Sequence, residues 1–95
     1  MNERELYQKK ARAKLDEWKA ELDKLKAQAS AASADRQLEL NRHIDALNAK
    51  VEQSERKLDE LLDSGEEGWE SVKQGFESAW TTLKLSFKDA ADKFK

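Results

Sequence analysis

The chain has 95 residues, a formal net charge of −2 and no cysteine, and 40 % of its residues are charged. The near-balanced charge excludes the strong positive field by which proteins attract nucleic acid, and the lack of cysteine excludes disulfides, thiolate nucleophiles and thiolate metal ligands. A chain of this length is expected to form one domain, residues 1–95, with a small core that would gain from self-association.

The N-terminal residues predict the cellular location and the start of a helix. The opening sequence MNERELYQKK has no hydrophobic signal segment, and no apolar run approaches the roughly 20 residues that span a bilayer, so we expect a cytoplasmic protein. Basic residues are frequent here: Arg4, Lys9, Lys10, Arg12 and Lys14. They are compatible with a basic arm for nucleic acid, but acidic residues downstream cancel their charge, which favours the solvated start of a helix.

Residues 1–62 contain two apolar faces at helical spacing. The first face consists of Leu15, Trp18, Leu22, Leu25, Ala29 and Ala32. The second face consists of Leu40, Ile44, Leu47, Val51, Leu58 and Leu61. Leu15 and Val51 are about ten helical turns apart, so the two faces are in register if one helix carries both. The remaining positions are mostly charged, as expected of a solvated helix surface.

The uncharged stretch AQASAASA at residues 27–34 separates the two faces. One interpretation is a turn near residues 30–35, with Ser33 or Asp35 capping a new helix, which gives three helices folded up, down and up. The other is a continuous helix over about 3–63, whose small residues let a second helix approach closely. The matching phase and the lack of Gly, Pro and Asn favour the continuous helix, which would be about 90 Å long.

A clearer break follows at the sequence DSGEEGW, residues 63–69. Gly65 is typical of a helix C-terminus. Ser64 and Glu67 have the spacing of a capping box for the next helix, and acidic residues in its first turn favour the positive end of the helix dipole. We therefore expect a final helix over about 66–94.

The final helix carries an aromatic repeat of eleven residues. Its apolar residues, in steps of three, four and four, are Trp69, Val72, Phe76, Trp80, Leu83, Phe87, Ala91 and Phe94. Eleven residues in three turns correspond to about 3.67 residues per turn, so the stripe stays on one side of a helix without supercoiling. The preferred interpretation is that the stripe packs into the core against the first two faces. The alternatives are a membrane-surface helix, which its acidic residues disfavour, and a groove for a partner helix.

No catalytic, cofactor-binding or metal-binding residue is predicted, and no small-molecule substrate is evident. The single histidine, His43, lies one turn after Glu39, and two candidate ligands on one helix are too few for a zinc site. The sequence has no E-x-x-H spacing of di-iron bundles, no glycine-rich phosphate loop and no serine-nucleophile elbow. We therefore expect a protein that is not an enzyme, in which His43 is a polar residue beside the apolar face.

Three segments together resemble a family of small bacterial coiled-coil proteins named for a cyanobacterial stress-response member. They are LDEWKAELDKLKA, ERKLDELLDSG and WESVKQGFESAWTTLKLSFKDA, of which the last is the most specific. The middle of the chain departs from the family pattern because it is richer in Ala and Ser. The resemblance implies a soluble, stress-associated protein without an established enzymatic activity, and it supplies no catalytic residue. The last segment also resembles the eleven-residue units of exchangeable apolipoproteins.

These features predict an all-α fold built by antiparallel coiled-coil-type packing. The preferred layout is one long N-terminal helix with the shorter final helix folded back on it, and the alternative is the three-helix bundle. Because a helix of about 60 residues has twice the stripe that the final helix covers, the uncovered half is expected to bind another copy, which gives a homo-oligomer. The expected function is a scaffold or protectant in the bacterial stress response, and the alternative is a peripheral lipid-binding protein that uses the final helix. The residues expected to form the packing or interaction stripe are Trp18, Leu22, Leu25, Leu40, Ile44, Leu47, Val51, Trp69, Val72, Phe76, Trp80, Leu83, Phe87 and Phe94.

Overall fold

The computed structural model describes residues 2–94, which form three α-helices and no β-strand. The helices, each 28 or 30 residues long, are α1 (Glu3–Ser30), α2 (Ala34–Asp63) and α3 (Glu66–Lys93). The molecule measures 51 × 21 × 18 Å, and a helix of this length is about 42–45 Å long. Each helix therefore runs along most of a narrow bundle, and the all-α prediction is confirmed. None of these helices is long and apolar enough to cross a membrane.

The first turn differs from the preferred layout of one continuous helix over about 3–63. α1 and α2 are separate helices joined by a turn at residues 31–33. Ala31 keeps a near-helical backbone (φ −86°, ψ −6°), and Ser33 is extended (φ −61°, ψ 158°). No described residue has a positive φ, so the turn needs no glycine and gives no glycine signal in the sequence. The alternative layout, with a turn near 30–35, agrees with the observed helices.

The second turn, at Ser64 and Gly65, also differs locally from the prediction. Gly65 is the N-cap of α3 with an extended backbone (φ −76°, ψ 176°), and no side-chain hydrogen bond caps this helix. The residue three positions after this N-cap is Gly68, so the expected Ser64–Glu67 capping box does not form. The Ser64 hydroxyl instead donates to the Leu61 carbonyl oxygen at 2.7 Å, which satisfies one of the free carbonyls at the end of α2.

The core follows the inner faces of the three helices along the bundle. Its buried apolar residues are Ala11, Leu15, Trp18, Leu22, Leu25, Ala29, Leu40, Ile44, Leu47, Val51, Leu58, Leu61, Phe76, Leu83, Phe87 and Ala90. Among residues 2–94, Ser54 is the one buried polar residue. Ala91 is exposed and Ala90 is buried, because at 100° per residue Ala90 lies closer to the direction of Leu83. Ala90 therefore continues the stripe of α3 in place of Ala91.

α2 packs closely against both neighbours, whereas α1 and α3 are farther apart. Cα atoms of α2 approach those of α1 and α3 within 8 Å, but no Cα pair between α1 and α3 does. Two ion pairs join α1 to α2: Arg12 Nη2 lies 4.0 Å from Asp59 Oδ1, and Lys19 Nζ lies 2.9 Å from Glu55 Oε1. Aromatic side chains fill the wider space between α1 and α3.

Candidate functional site

The aromatic side chains between α1 and α3 form the candidate site, which we call the aromatic seam: Tyr7, Trp18, Trp69, Phe76, Trp80 and Phe87. Trp18 of α1 lies edge-to-face with Trp80 of α3, with ring centroids 4.9 Å apart, and it stacks on Phe87 at 6.1 Å. Phe76 lies edge-to-face with Trp80 at 5.2 Å. Such pairs contribute about 0.5–1.5 kcal/mol each beyond the burial of their area, so the rings hold together two helices whose backbones are apart.

The eleven-residue repeat of α3 has a counterpart in α1. Tyr7 and Trp18 are eleven residues apart, as are Trp69 and Trp80. The Tyr7 ring lies edge-to-face with Trp69, with ring centroids 5.7 Å apart. Because eleven residues make three turns in each helix, the pairs Tyr7–Trp69 and Trp18–Trp80 recur at the same interval, about 16.5 Å along the seam. The repeat in α3 therefore matches the spacing of the aromatic residues that it meets in α1.

The outer side of the aromatic seam opens to solvent in two grooves. One has a volume of about 390 Å³ and is lined by Tyr7, Lys10, Ala11, Glu77, Trp80 and Thr81. The other has a volume of about 380 Å³, lies at the start of α1 and α3, and is lined by Asn2, Glu3, Arg4, Glu66, Trp69 and Glu70. Trp69 and Trp80 are accordingly half-buried, whereas Phe76 is 0 % exposed. The inner side of the aromatic seam is thus buried against the core, and its outer side is exposed to solvent.

Tyr7 joins the two helices by a polar contact at the outer edge of the seam. Its hydroxyl donates a hydrogen bond to Glu77 Oε1 at 3.1 Å. Burial raises the pKa of the Tyr7 phenol above its usual value, and the hydrogen bond to Glu77 and the negative charge of Glu77 raise it further. The phenol therefore stays protonated at neutral pH and serves as a hydrogen-bond donor, not as a base or nucleophile.

Basic side chains lie over three rings of the aromatic seam. Arg4 Cζ lies 4.6 Å from the Trp69 ring centroid. Lys73 Nζ lies 5.0 Å from the ring of Tyr7, and Lys14 Nζ lies 5.8 Å from the ring of Trp18. Each such contact contributes about 0.5–1 kcal/mol at an exposed site. The alkyl part of each basic side chain also shields ring surface from water, so these cations stabilise a seam that is open on one side.

Arg4 has a second role, at the C-terminal end of α2. Its guanidinium donates to the carbonyl oxygens of Leu61 at 3.1 Å and Leu62 at 3.4 Å, and also to that of Ser64. These carbonyls lie at the end of α2, where the regular bonds of the helix stop, and the helix dipole favours a positive charge there. The Leu61 carbonyl also accepts from Ser64. Since the same guanidinium lies over Trp69, Arg4 joins the start of α1 to both neighbouring helices.

The other two helix ends are held in the same manner by the first turn of α2. The side-chain amide of Gln37 donates to the Ala29 carbonyl oxygen at 3.2 Å, at the end of α1. The guanidinium of Arg36 donates to the Lys93 carbonyl oxygen, at the end of α3. Each helix C-terminus is thus bound by a side chain from the first turn of a neighbouring helix, in addition to the backbone N–H bonds of its own cap residue.

His43 lies away from the aromatic seam, between α2 and α3. It is half-buried and borders a small groove of about 150 Å³. The carboxylate of Glu39, one turn earlier, pairs with Arg36 at 3.2 Å. No group of three or more side chains that could hold a metal ion occurs within residues 2–94. The expectation that His43 is chemically inert stays a prediction.

The stripe predicted from the sequence divides into two groups. The buried members are Trp18, Leu22, Leu25, Leu40, Ile44, Leu47, Val51, Phe76, Leu83 and Phe87. The partly buried members, which pack against the core from its edge, are Trp69, Val72, Trp80 and Phe94. Both apolar faces of residues 1–62 therefore face the interior of one chain, together with the stripe of α3.

Sequence reasoning missed Tyr7, Arg4 and Ser54. Tyr7 had a signal, because with Ala11 and Leu15 it continues the first apolar face towards the N-terminus at a spacing of four residues. Arg4 had none, because the carbonyl groups that it binds lie almost sixty residues away in sequence. Ser54 occupies a core position of α2 where the pattern calls for an apolar residue, and only packing explains it.

Comparison with known proteins finds no matching family model, no matching curated protein and no matching solved structure. The functional reading of the chain therefore depends on its own residues and their geometry.

Proposed function

We propose that this chain is a non-enzymatic helical protein of the bacterial stress response that acts as a scaffold or protectant. The assignment to stress response depends on the resemblance of its charged helices and aromatic segment to the coiled-coil family. We propose the cytoplasm as its location, in keeping with the lack of cysteine. Its effect on other molecules would come from contacts of its surface, not from chemistry at a catalytic centre.

The proposed arrangement of the helices is up, down and up, with antiparallel coiled-coil-type packing of α2 on each neighbour. Ion pairs support it: Arg12 meets Asp59, and farther along α1 Lys19 meets Glu55, which lies earlier in α2. A pairing that advances in one helix and recedes in the other is what antiparallel helices produce. Connections of two or three residues between helices also favour antiparallel neighbours.

The observation that carries the proposal is the position of the aromatic repeat. Phe76 and Leu83 are 0 % exposed, and Phe87 packs on Trp18 of α1. A lipid-binding protein of this kind would have to open and release this apolar face, whereas in the folded chain the face builds the bundle. The repeat is best explained as a structural element of a stable helical protein.

Self-association remains part of the proposal, but its physical reason changes. The expectation rested on an uncovered half of the stripe, which would include Leu22 or Ile44 depending on register, and both residues are buried within a single chain. Association must therefore use another surface or an exchange of helices between copies. The half-buried Trp69 and Trp80 beside the open grooves, together with the exposed Leu6, Leu38 and Leu85, are apolar surface that the folded chain leaves accessible.

A deletion strain of the source bacterium tests the proposed function. We expect it to grow like the parent in ordinary medium and to survive worse after heat, osmotic or oxidative stress. Expression of the wild-type chain should restore survival, as should Leu85→Ala, which alters an exposed residue, whereas Phe76→Ala should restore it less well because the bundle loses about 3–5 kcal/mol of stability. Survival equal to that of the parent under every stress would show that the proposal is wrong.

Lipid binding is the second candidate, and the half-buried Trp69 and Trp80 beside open grooves are the observation that favours it. Tryptophan emission with and without vesicles of anionic phospholipid separates the two functions. The scaffold proposal expects emission that is already blue-shifted in buffer and unchanged by vesicles. A lipid-binding protein would instead show a blue shift only with vesicles, and Trp80→Ala would weaken binding more than stability.

A further inference from the structure

The turn at residues 31–33 keeps a φ in the helical range at both Ala31 and Ser33. Ala31 is near-helical, and Ser33 has a helical φ of −61° but an extended ψ of 158°. The Ser33 side chain makes no capping hydrogen bond to α2. The surrounding segment, residues 27–34, consists of Ala, Ser and Gln, which an α-helix accepts. Straightening of the turn at residues 31–33 therefore joins α1 and α2 into one helix.

Two hydrogen bonds between α1 and α2 are placed symmetrically about Ser33. Ser33 is midway in sequence between Ala29 and Gln37, which are joined by a hydrogen bond of 3.2 Å. It is also midway between Arg4 and Leu62, which are joined by a hydrogen bond of 3.4 Å at the far end of the same helix pair. Two continuous helices that cross in opposite directions at Ser33 would bring together the same residues, one from each copy.

We propose that two copies of this chain exchange α1. The turn at residues 31–33 straightens, α1 and α2 become one helix of about 60 residues, and α1 of each copy packs on α2 and α3 of the other. The exchange rests on the self-association proposed above. It names a second copy as the partner and the surface of α2 and α3 that normally receives α1 as the interface.

The exchange keeps the interactions of the folded chain. The ring pair Trp18–Trp80 and the binding of Arg4 to the end of α2 form between copies instead of within one. The straightened turn gains helical hydrogen bonds, and the opposing term is the loss of freedom when two chains become one particle. Protein concentration therefore sets the balance between the closed monomer and the exchanged dimer.

The composition of the turn suits the crossing point of two such helices. In the exchanged dimer the two copies of residues 27–34 lie side by side at the twofold axis. Their Ala and Ser side chains are small, so the two backbones approach there without the bulk that Leu or Lys would add. The second apolar face also stays aligned with the first, because Leu15 and Val51 are about ten turns apart in a continuous helix.

Ala34→Pro is the variant that separates the two forms. Ala34 is the first residue of α2 and follows the extended Ser33, so proline fits the closed hairpin, where that position favours it. In a continuous helix the same proline removes a hydrogen bond and clashes with the preceding turn. Glu66→Pro is the matched control, since it places proline at the first residue of α3, after the extended Gly65.

Each protein is unfolded in urea, refolded at high concentration and studied by light scattering and small-angle X-ray scattering. We expect wild type and Glu66→Pro to yield a dimer about 90 Å long, compared with 51 Å for the closed monomer. Ala34→Pro should lower the dimerisation constant by at least about a hundredfold while keeping its helix content. Ser33→Ala should raise the constant by about fivefold, because alanine is the better helix former.

Cross-linking identifies the exchange itself, since the chain has no cysteine of its own. Lys19→Cys is made in one sample and Glu55→Cys in another, at positions whose charged groups are 2.9 Å apart across α1 and α2. The samples are mixed, refolded together and treated with a short bis-maleimide. We expect covalent heterodimers, which disappear when both chains also carry Ala34→Pro.

Two results would overturn the inference, and they differ in what else they affect. If dimers form but Ala34→Pro and Glu66→Pro dimerise equally and no heterodimer is cross-linked, the exchange is wrong while self-association stands. If wild type, Ser33→Ala and Glu66→Pro all remain monomeric at every concentration, the proposed self-association is wrong as well.

Discussion

The two sides of α3 hold it to its neighbours in different ways. Towards α2, small residues such as Ser86 and Ala90 let the backbones approach within 8 Å, and Lys50 Nζ donates a hydrogen bond of 2.7 Å to Ser86 Oγ. Towards α1, the backbones stay apart and Trp80 reaches across to Trp18. One helix thus has a narrow edge of small side chains and a wide edge of aromatic rings.

This difference shows how a short chain with few large residues builds a core. Rings bury about 150–250 Å² each, so a wide contact with α1 needs only a few of them. Small residues on the other edge bring α2 close enough for its leucines to reach the same core. The cost is an open outer edge at the aromatic seam, where two grooves remain and basic side chains cover the rings.

Removal of a central ring should break the wide contact most strongly. Phe76 is 0 % exposed and lies beside Trp80 and Tyr7. We expect Phe76→Ala to lower the free energy of unfolding by about 3–5 kcal/mol, a large share of the about 5–15 kcal/mol typical of a domain. Urea unfolding followed by circular dichroism measures it.

Leu85→Ala is the matched control for that measurement, because Leu85 is on the same helix but 58 % exposed. Its effect should stay within about 0.5 kcal/mol. Equal losses for Phe76→Ala and Leu85→Ala would contradict the assignment of Phe76 to the core.

The close contact between α2 and α3 should be weakened by enlarging a small side chain. Ala90 is 4 % exposed at the contact with α2, and its neighbour Ala91 is exposed. We expect Ala90→Leu to destabilise the bundle by about 1–3 kcal/mol through overpacking, whereas Ala91→Leu should be nearly neutral. Thermal unfolding of the pair checks this, and a stable Ala90→Leu protein would mean that α2 and α3 are less tightly packed than described.

The sequence predicted which face of α3 is buried better than it predicted the turns between the helices. Periodicity identifies Phe76 and Leu83 as one face because helix geometry is local and regular. The turn at residues 31–33 leaves no such mark. It uses only backbone angles that any residue adopts, and a match of helical phase on either side is compatible with both a straight helix and a hairpin. The uncharged composition of the stretch and the choice of Ser33 as a helix cap were the correct signals.

The sequence predicts the aromatic stripe of α3, but it does not predict which helix the stripe packs against. The spacing of Trp69 and Trp80 indicates a stripe, yet which helix it meets depends on the path of the whole chain. Arg4 illustrates the limit. In the sequence it resembles any solvent-exposed charge, and only the fold brings it to the end of α2. Long-range capping of this kind has no local pattern.

A substitution of Arg4 tests how much the contact between α1 and α3 depends on the polar groups at its outer edge. Arg4→Gln removes the charge at the end of α2 and the cation over Trp69. We expect a loss of about 1–2 kcal/mol in the free energy of unfolding. The control is Arg12→Gln, whose exposed ion pair with Asp59 at 4.0 Å should contribute almost nothing. Similar small effects for both variants would show that Arg4 is only a surface charge.

Ser54 is a buried polar residue of α2, and its replacement tests how the core of that helix is packed. It is 1 % exposed, and its hydroxyl oxygen has no hydrogen-bond partner. We expect Ser54→Ala to raise the free energy of unfolding by about 1 kcal/mol, because an unsatisfied buried polar group is removed. A destabilised Ser54→Ala protein would indicate that the hydroxyl is bound by buried water.

Tyr7 is expected to have the smallest effect, and pH is the variable that reveals it. Tyr7→Phe keeps the ring beside Trp69 but removes the hydrogen bond to Glu77. Near neutral pH we expect a loss of only about 0.5 kcal/mol, the lower range for a net hydrogen bond.

The sign of the pH dependence follows from the raised pKa of the Tyr7 phenol in the folded chain. The unfolded chain loses this proton near the usual tyrosine pKa of about 10, before the folded chain does. The stabilisation is therefore complete below about pH 10 and is lost as the pH rises above that value. The difference between wild type and Tyr7→Phe at each pH isolates the phenol, because the two proteins differ only in that hydroxyl. Tyr7 is the only tyrosine in the chain, and its ultraviolet absorption reports ionisation directly.

Two results would mean that the outer edge of the aromatic seam is fully open to water at Tyr7. One is a difference in unfolding free energy between wild type and Tyr7→Phe that stays constant to about pH 11, and the other is a phenol that ionises at its usual pKa.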